Sequence, residues 1–249
     1  MMTDAQTAYS SESDDVLGWL ALRRSQTLSS PFAVLHKAAM QLFHLMAPAR
    51  VGAEQNASNA EASAQHELMQ RFQQTILPHL DAAYNFARFL SRDADAAQDI
   101  VQEAFLRAYR SFGGYRGGDP RSWLFAIVRN CCHAWRQQDR RKARFERQLS
   151  DGGGADADDI AEDEIASEED TPETATIRRS EQQRVRDVIN GLPEAMREVL
   201  VLRELEDLSY RQIADVIDAP VGTVMSRLAR ARREFGEAWD QCDKAGVVR

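Results

Sequence analysis

Cysteine is scarce. Cys131, Cys132 and Cys242 are the only three in 249 residues, and two of them are adjacent. There is no CxxC with a matching Cys or His pair, so neither a zinc site nor a disulfide framework is indicated. Reduced thiols in a cytoplasmic protein are the simpler account. No apolar run approaches the roughly eighteen residues that a membrane span requires, which argues against membrane insertion. The N-terminus also lacks the charged-then-apolar layout of a signal peptide. No internal repeat is evident. No carboxylate pair, nucleophile–base set or phosphate loop stands out, so no enzyme activity, cofactor or metal is expected. Redox sensing through Cys131 and Cys132 is a weak alternative, because vicinal cysteines on a helix point to different faces.

Positive charge is also short overall, with a formal net charge of −8. Its distribution matters more than its sum. Residues 150–176 hold eleven Asp and Glu and no Lys or Arg. From Arg107 to Arg147 there are eleven Lys and Arg against three Asp and Glu. A basic patch and an acidic linker are averaged together, and the patch is the part that points to a polyanionic partner.

The most legible stretch is Leu208 to Phe235, which reads as two short helices joined by a tight turn. Ser209 is a good N-cap, and Gln212 three residues later completes a capping box. Ile213, Ala214, Val216 and Ile217 give the first helix an apolar face. Asp218-Ala219-Pro220 breaks it, since the residue before proline avoids the helical region and Pro220 suits the next helix start. Val224, Leu228 and Ala231 are spaced to face inward. Thr223, Ser226, Arg227, Arg230 and Arg233 then lie outward or on the flanks. Hydroxyls and guanidinium groups on a helix suit phosphate anchoring and base-edge reading in a major groove.

Along the chain, residues 1–66 read as a leader that is partly disordered. Thr3 to Asp15 is polar, Pro31 to Met46 has the apolar spacing of an amphipathic helix, and Ala47 to Gln65 reads as a tether. Met69, just before the first strongly patterned helix, is a candidate translation start. Residues 67–149 read as a compact helical domain. Leu77, Leu80, Ala83, Tyr84, Ala87 and Leu90 make one amphipathic helix. Asp95 to Phe112 makes a second, with acids near its N-terminus, where the helix dipole favours them. Pro120 to Gln148 forms a long helix, or two, carrying Trp123, Leu124, Ile127, Val128, Trp135 and a dense basic set. Trp123 is assigned to the core. Residues 150–176 form a flexible, self-repelling linker. Residues 177–240 form a helical domain ending in the helix-turn-helix, and 241–249 a tail. The fold class is all-α, in two small helical domains.

Three stretches together resemble a known family. They are DADAAQDIVQEAFLRAYRSF (93–112), RSWLFAIVRNCCHAWRQQDRR (121–141) and LPEAMREVLVLRELEDLSYRQIADVIDAPVGTVMSRLARAR (192–232). Their order and content are similar to bacterial sigma factors of the sigma-70 superfamily, in the two-domain extracytoplasmic-function (ECF, RpoE-like) group. A helix-turn-helix alone would be a weak match; the acidic D-x-V-Q-E-x-F helix followed by W-L-x-x-I-x-R-N is far more specific.

The resemblance implies a factor that binds core RNA polymerase, directs it to promoters and helps melt them. It implies that Asp95, Asp99, Gln102, Glu103 and Phe105 dock on the clamp helices of the β′ subunit, with the β subunit as a further contact. It places Arg129, Asn130, Trp135, Arg136, Arg140 and Arg141 on the −10 element, with Asn130 against a flipped base. It places Ser209, Tyr210, Arg211, Thr223, Ser226, Arg227 and Arg230 on the −35 element. An anti-sigma protein is an implied partner, beside promoter DNA. Two features depart from the family: Met225 stands where Lys or Arg often precedes the Ser-Arg pair, and the loop 115–122 is short and lacks an aromatic after its glycines. The alternatives from other classes are a free-standing helix-turn-helix regulator that needs no polymerase, and an adaptor that binds polymerase without reading DNA.

Overall fold

The structure, a computed structural model, describes residues 57–149 and 172–246. The expected leader helix over 31–46 and the acidic segment up to 171 lie outside the described residues. Every regular element among the described residues is helical. Two compact units divide them: 57–132 with 215–217 in one, and 133–149, 172–214 and 218–246 in the other.

The first unit opens with α1 (Ala57–Ile76), a 3-10 turn (Leu77–His79) and α2 (Leu80–Ser91). A single helix starting at Leu77 is expected from the apolar spacing. Pro78 tightens that turn instead, because it has no N–H to continue the ladder, and α2 begins at Leu80. The tether expected up to Gln65 gives way to α1 from Ala57, a stretch rich in Ala, Glu and Gln that favours helix. α1 is fixed to the unit by Phe72, which is fully buried. Its ring meets Phe105, Tyr109 and Phe112 edge-on at centroid distances of 6.2, 5.4 and 5.2 Å.

α3 (Ala94–Ser111) is capped by Asp93, whose carboxylate accepts the Ala96 N–H at 2.9 Å. Satisfying one orphan donor while placing negative charge at the positive end of the helix fixes where α3 starts. Gly117 and Gly118 then turn the chain at φ +93° and +102°, a region closed to most side chains. The Tyr115 hydroxyl donates to the Gly118 carbonyl at 2.8 Å, and Asp119 accepts the Ser122 N–H at 3.1 Å to start α4 (Pro120–Leu149). α4 is one helix. Its buried stripe is Leu124, Phe125, Val128, Cys131 and Cys132. Trp123, expected in the core, is only half-buried and packs against Tyr115 and Phe112 at 5.1 and 6.3 Å. Phe125 is the fully buried aromatic, 5.2 Å from Phe86 of α2.

The second unit holds α5 (Pro172–Gly191), which begins inside the expected linker, α6 (Glu194–Leu200) with a π turn over Val201–Leu205, α7 (Tyr210–Ile217) apart from its last three residues, and α8 (Val221–Gly246). Val188, Ile189, Val199, Leu200, Leu202, Ile213, Val224, Leu228 and Phe235 form its buried centre. The capping box of α7 is complete: Gln212 N–H donates to the Ser209 hydroxyl and Ser209 N–H donates to the Gln212 side chain. Asp218 ends α7 in the left-handed region at φ +50°, its N–H donating to the Ala214 carbonyl. α8 is far longer than the short second helix expected from the sequence. Its apolar stripe runs on through Phe235 and Trp239, whose rings stack at 6.1 Å, and Arg184 of α5 covers Trp239 at 4.9 Å.

Because Phe72 alone joins α1 to three rings, Phe72→Ala should cost about 3–5 kcal/mol, the usual range for emptying a buried aromatic site. Urea unfolding of the purified protein checks this, with a lower midpoint at an unchanged slope as the expected outcome.

Candidate nucleic-acid interface

Three exposed faces carry the polar residues singled out above. On α3, Asp95, Asp99 and Gln102 are exposed at helical spacings of four and three, so they form one stripe. Glu103 borders it and pairs with Arg107 at 2.7 Å, which leaves that carboxylate partly neutralised. Phe105 does not belong to this stripe. It is 8% exposed and packed against Phe72, so it supports the helix from behind. A phenylalanine in an otherwise polar motif reads as a surface anchor in sequence. The burial of α1 over it decides the matter.

On α4, Arg129, Arg136 and Arg140 fall on one line at spacings of seven and four, with Asn130 and Arg141 on the adjoining line. Asn130, Arg140 and Arg141 are exposed, and Arg129 is half-buried. Trp135 is not on this face: it follows Val128 and Cys131 at spacings of seven and four, in register with the buried stripe, and is half-buried. Arg136 is 14% exposed and paired with Glu194 at the start of α6. His133 contributes to the same cluster, at 3.3 Å from Glu194 and 3.1 Å from Glu198. Glu198 is buried, and burying a carboxylate is costly unless cationic or hydrogen-bonding groups surround it. Sequence reading missed this cluster because His133 and Glu198 lie 65 positions apart. The ligand atoms of His133, Glu194 and Glu198 lie within 4.8 Å of one another, a spacing a cation could use, and Arg136 already pairs with one of the two carboxylates, Glu194.

On the helix-turn-helix, α8 turns Val224, Leu228 and Ala231 fully inward, as their spacing predicts. Ser226, Arg230 and Arg233 are exposed, and Thr223 and Arg227 sit half-buried on the flank. The Ser226 hydroxyl donates to the Thr223 carbonyl at 3.0 Å and keeps its acceptor positions open. Arg232 is held differently, forking onto Glu204 at 3.0 and 2.7 Å. This tie fastens α8 to the π turn. On α7, Arg211 is exposed, Tyr210 lies beneath the Arg203 guanidinium at 5.2 Å, and the Ser209 hydroxyl is engaged in the capping box.

A capped helix, a left-handed turn and an arginine-bearing second helix define the second unit as a helix-turn-helix module of an all-helical DNA-binding protein. Comparison with known proteins extends this beyond the helix-turn-helix. The sigma-70 region 2 profile matches residues 75–141, and the sigma-70 region 4 profile matches residues 182–235. The chain is 40% identical over 148 residues to the RNA polymerase sigma-H factor of Pseudomonas aeruginosa, covering 59% of this chain and 74% of the relative. It is 37% identical over 146 residues to the ECF RNA polymerase sigma-E factor of Haemophilus influenzae, covering 58% of this chain and 74% of the relative. A solved structure of the sigma factor RpoE in complex with the anti-sigma factor NepR, from Bartonella quintana, is similar at 28% identity and a TM-score of 0.54. The match covers 69% of this chain and 98% of that one. The chain belongs to the extracytoplasmic-function sigma factors of the sigma-70 superfamily. It is an RNA polymerase sigma factor that directs promoter-specific transcription, and not an enzyme.

The two adjacent cysteines lie behind the arginine face of α4, both buried, while Cys242 is exposed. Burial pushes the Cys131 thiol up from its ordinary value, and nearby Arg107 only partly opposes this. A raised pKa means less thiolate at any given pH, hence slower alkylation. Native protein should therefore take iodoacetamide at Cys242 alone, even at mildly alkaline pH, with Cys131 and Cys132 labelled only after unfolding; peptide mass spectrometry reads the pattern.

Proposed function

We propose that this sigma factor divides its work between α1–α4 (57–149), which carry the polymerase and −10 contacts, and α5–α8 (172–246), which carry the −35 contacts; helix reaches into the expected leader, linker and tail at 57–66, 172–176 and 241–246. The observation that carries the reading is the segregation of exposed charge. The outer stripe of α3 is acidic and amide-bearing, whereas the outer faces of α4 and α8 are arginine-rich. One protein partner with basic helices and one polyanion account for that division.

In this reading Asp95, Asp99 and Gln102, bordered by Glu103, dock on the β′ clamp helices of core polymerase, with Phe105 holding their helix from beneath. Arg129, Arg140 and Arg141 hold phosphates of the −10 region, and Asn130 accepts a base turned out of the stack. Extruding that base costs a few kcal/mol, which hydrogen bonding and stacking in the complex offset. Trp135 supports this face from the inner side of α4. Arg136 joins it by exchanging Glu194 for a phosphate. On the −35 element, Thr223, Ser226, Arg227 and Arg230 read from α8, while Ser209, Tyr210 and Arg211 position α7 against the backbone.

Both halves tethered on one chain raise their joint affinity without any new contact. The work is cytoplasmic, since its partner is the transcribing polymerase. An anti-sigma protein as inhibitor is supported by the similar factor solved in complex with one.

Run-off transcription with core polymerase on a genomic fragment pool is the test. Start sites that appear only with the protein are the expected result, and binding to core without initiation would overturn it. Asp99→Arg should abolish co-purification with core while leaving the helical circular dichroism unchanged. Arg230→Ala should weaken promoter binding by about 1–3 kcal/mol and flatten its salt dependence; unchanged binding would remove Arg230 from the interface.

A further inference from the structure

Three large apolar side chains are exposed among the described residues: Phe145, Val221 and Met225. Single exposed apolar residues are ordinary on protein surfaces. Two of these three, however, stand one turn apart on the same helix, Val221 at 38% and Met225 at 54% exposure, and that helix is α8. Their neighbours on the outer face are Gly222, Ser226 and Ala229, all exposed. A Cβ built on Gly222 meets nothing within 4 Å, so open space adjoins the pair. Arg227, Arg230 and Arg233 bring cationic charge to the same helix. The apolar pair thus sits on a surface whose charge already suits a polyanion, with small residues beside it that allow close approach.

We infer that Met225 and Val221 form a thymine-reading contact, packing on the 5-methyl group of one or two thymines in the −35 element. The inference rests on the reading of α8 as the −35 recognition helix. Four observations lead to it. A neutral thioether cannot hold a phosphate, so Met225 adds nothing to the sequence-independent electrostatic term. In the major groove the only apolar feature of a base edge is the thymine methyl group. Methionine is unbranched and polarisable, which lets it fit an irregular apolar contact. Val221, at the first turn, extends the same contact toward the neighbouring base pair. Taking the pair out of water on binding contributes favourably, and a cytosine at the same position would leave the contact without its methyl partner.

The experiment uses holoenzyme assembled from core polymerase and the full chain, bound to a promoter duplex whose −35 thymines are replaced in turn by uracil. Uracil keeps the base pair and loses only the methyl group. At one or two positions, uracil should weaken wild-type binding about fourfold, the effect of losing one buried carbon. Met225→Ala and the polar, similarly sized Met225→Gln should bind the thymine promoter weakly and no longer distinguish it from uracil. The thymine–uracil ratio should keep its size as salt is raised, unlike the effect of Arg230→Ala.

Uracil without effect at every position, or a full uracil penalty surviving in Met225→Ala, would overturn the inference. A −35 element with no A·T pair would do the same. Met225→Ala that reads both promoters like wild type but escapes a co-purifying inhibitor would assign the surface to a protein instead. If scrambling the entire −35 element leaves binding unchanged, the reading of α8 itself falls, which separates that failure from failure of the thymine contact alone.

Discussion

A chain carrying a net charge of −8 that works on DNA must keep its acids away from its arginines. Repulsion between exposed carboxylates and phosphates weakens binding over about 8–10 Å at physiological salt. The structure meets this constraint by placement. Acids that remain on α3 form their own stripe, on a different helix from the arginine face of α4. Glu204 is committed to Arg232, and Glu103 to Arg107. The eleven acids of 150–176 are confined to one run of sequence that holds no Lys or Arg. The acids that do lie on these two helices are few, and Glu237 of α8 is set against Arg233 at 3.8 Å.

Placement of that kind requires helix starts that do not drift, since one residue of slip rotates a face by about 100°. Each functional helix has a separate device at its N-terminus. Asp93 caps α3, Asp119 and Pro120 start α4, Ser209 and Gln212 lock α7, and Pro220 starts α8. Such caps are each worth about 1 kcal/mol. Their larger value here lies in register: they decide that Asp99 faces out while Ile100 faces in, and that Ser226 faces out while Leu228 faces in.

These local devices are what made most of the fold legible in sequence, because each is written in consecutive residues. Helix starts, the turn at Asp218 and the inward triad of α8 all follow from short-range chemistry. What was not legible depends on residues far apart in the chain. Phe105 reads as a surface group until α1 is packed over it. Trp135 is different, because its register with Val128 and Cys131, seven and four residues back, is local and sets it off the arginine face. Arg136 reads as a free cation until Glu194 is brought to it. The length of α8 is set by an apolar stripe that continues past the helix-turn-helix, beyond Phe235. Even there the signal was present, in Trp239 four residues on.

Arginine contacts with phosphate supply affinity that is nearly the same for every DNA sequence, so the arginines of α4 and α8 cannot by themselves choose a promoter. Discrimination has to come from groups that see base edges. On α8 these are few: the hydroxyls of Thr223 and Ser226, the guanidinium groups able to reach a guanine, and the apolar pair at Val221 and Met225. Replacing a cation with Met225 removes a phosphate or guanine contact and lowers the general electrostatic term. The same exchange raises the share of binding energy that depends on sequence. On the proposed reading a sigma factor can bear that loss of affinity, because core polymerase and the −10 contacts of the same chain supply the rest, leaving α8 free to favour selectivity over strength.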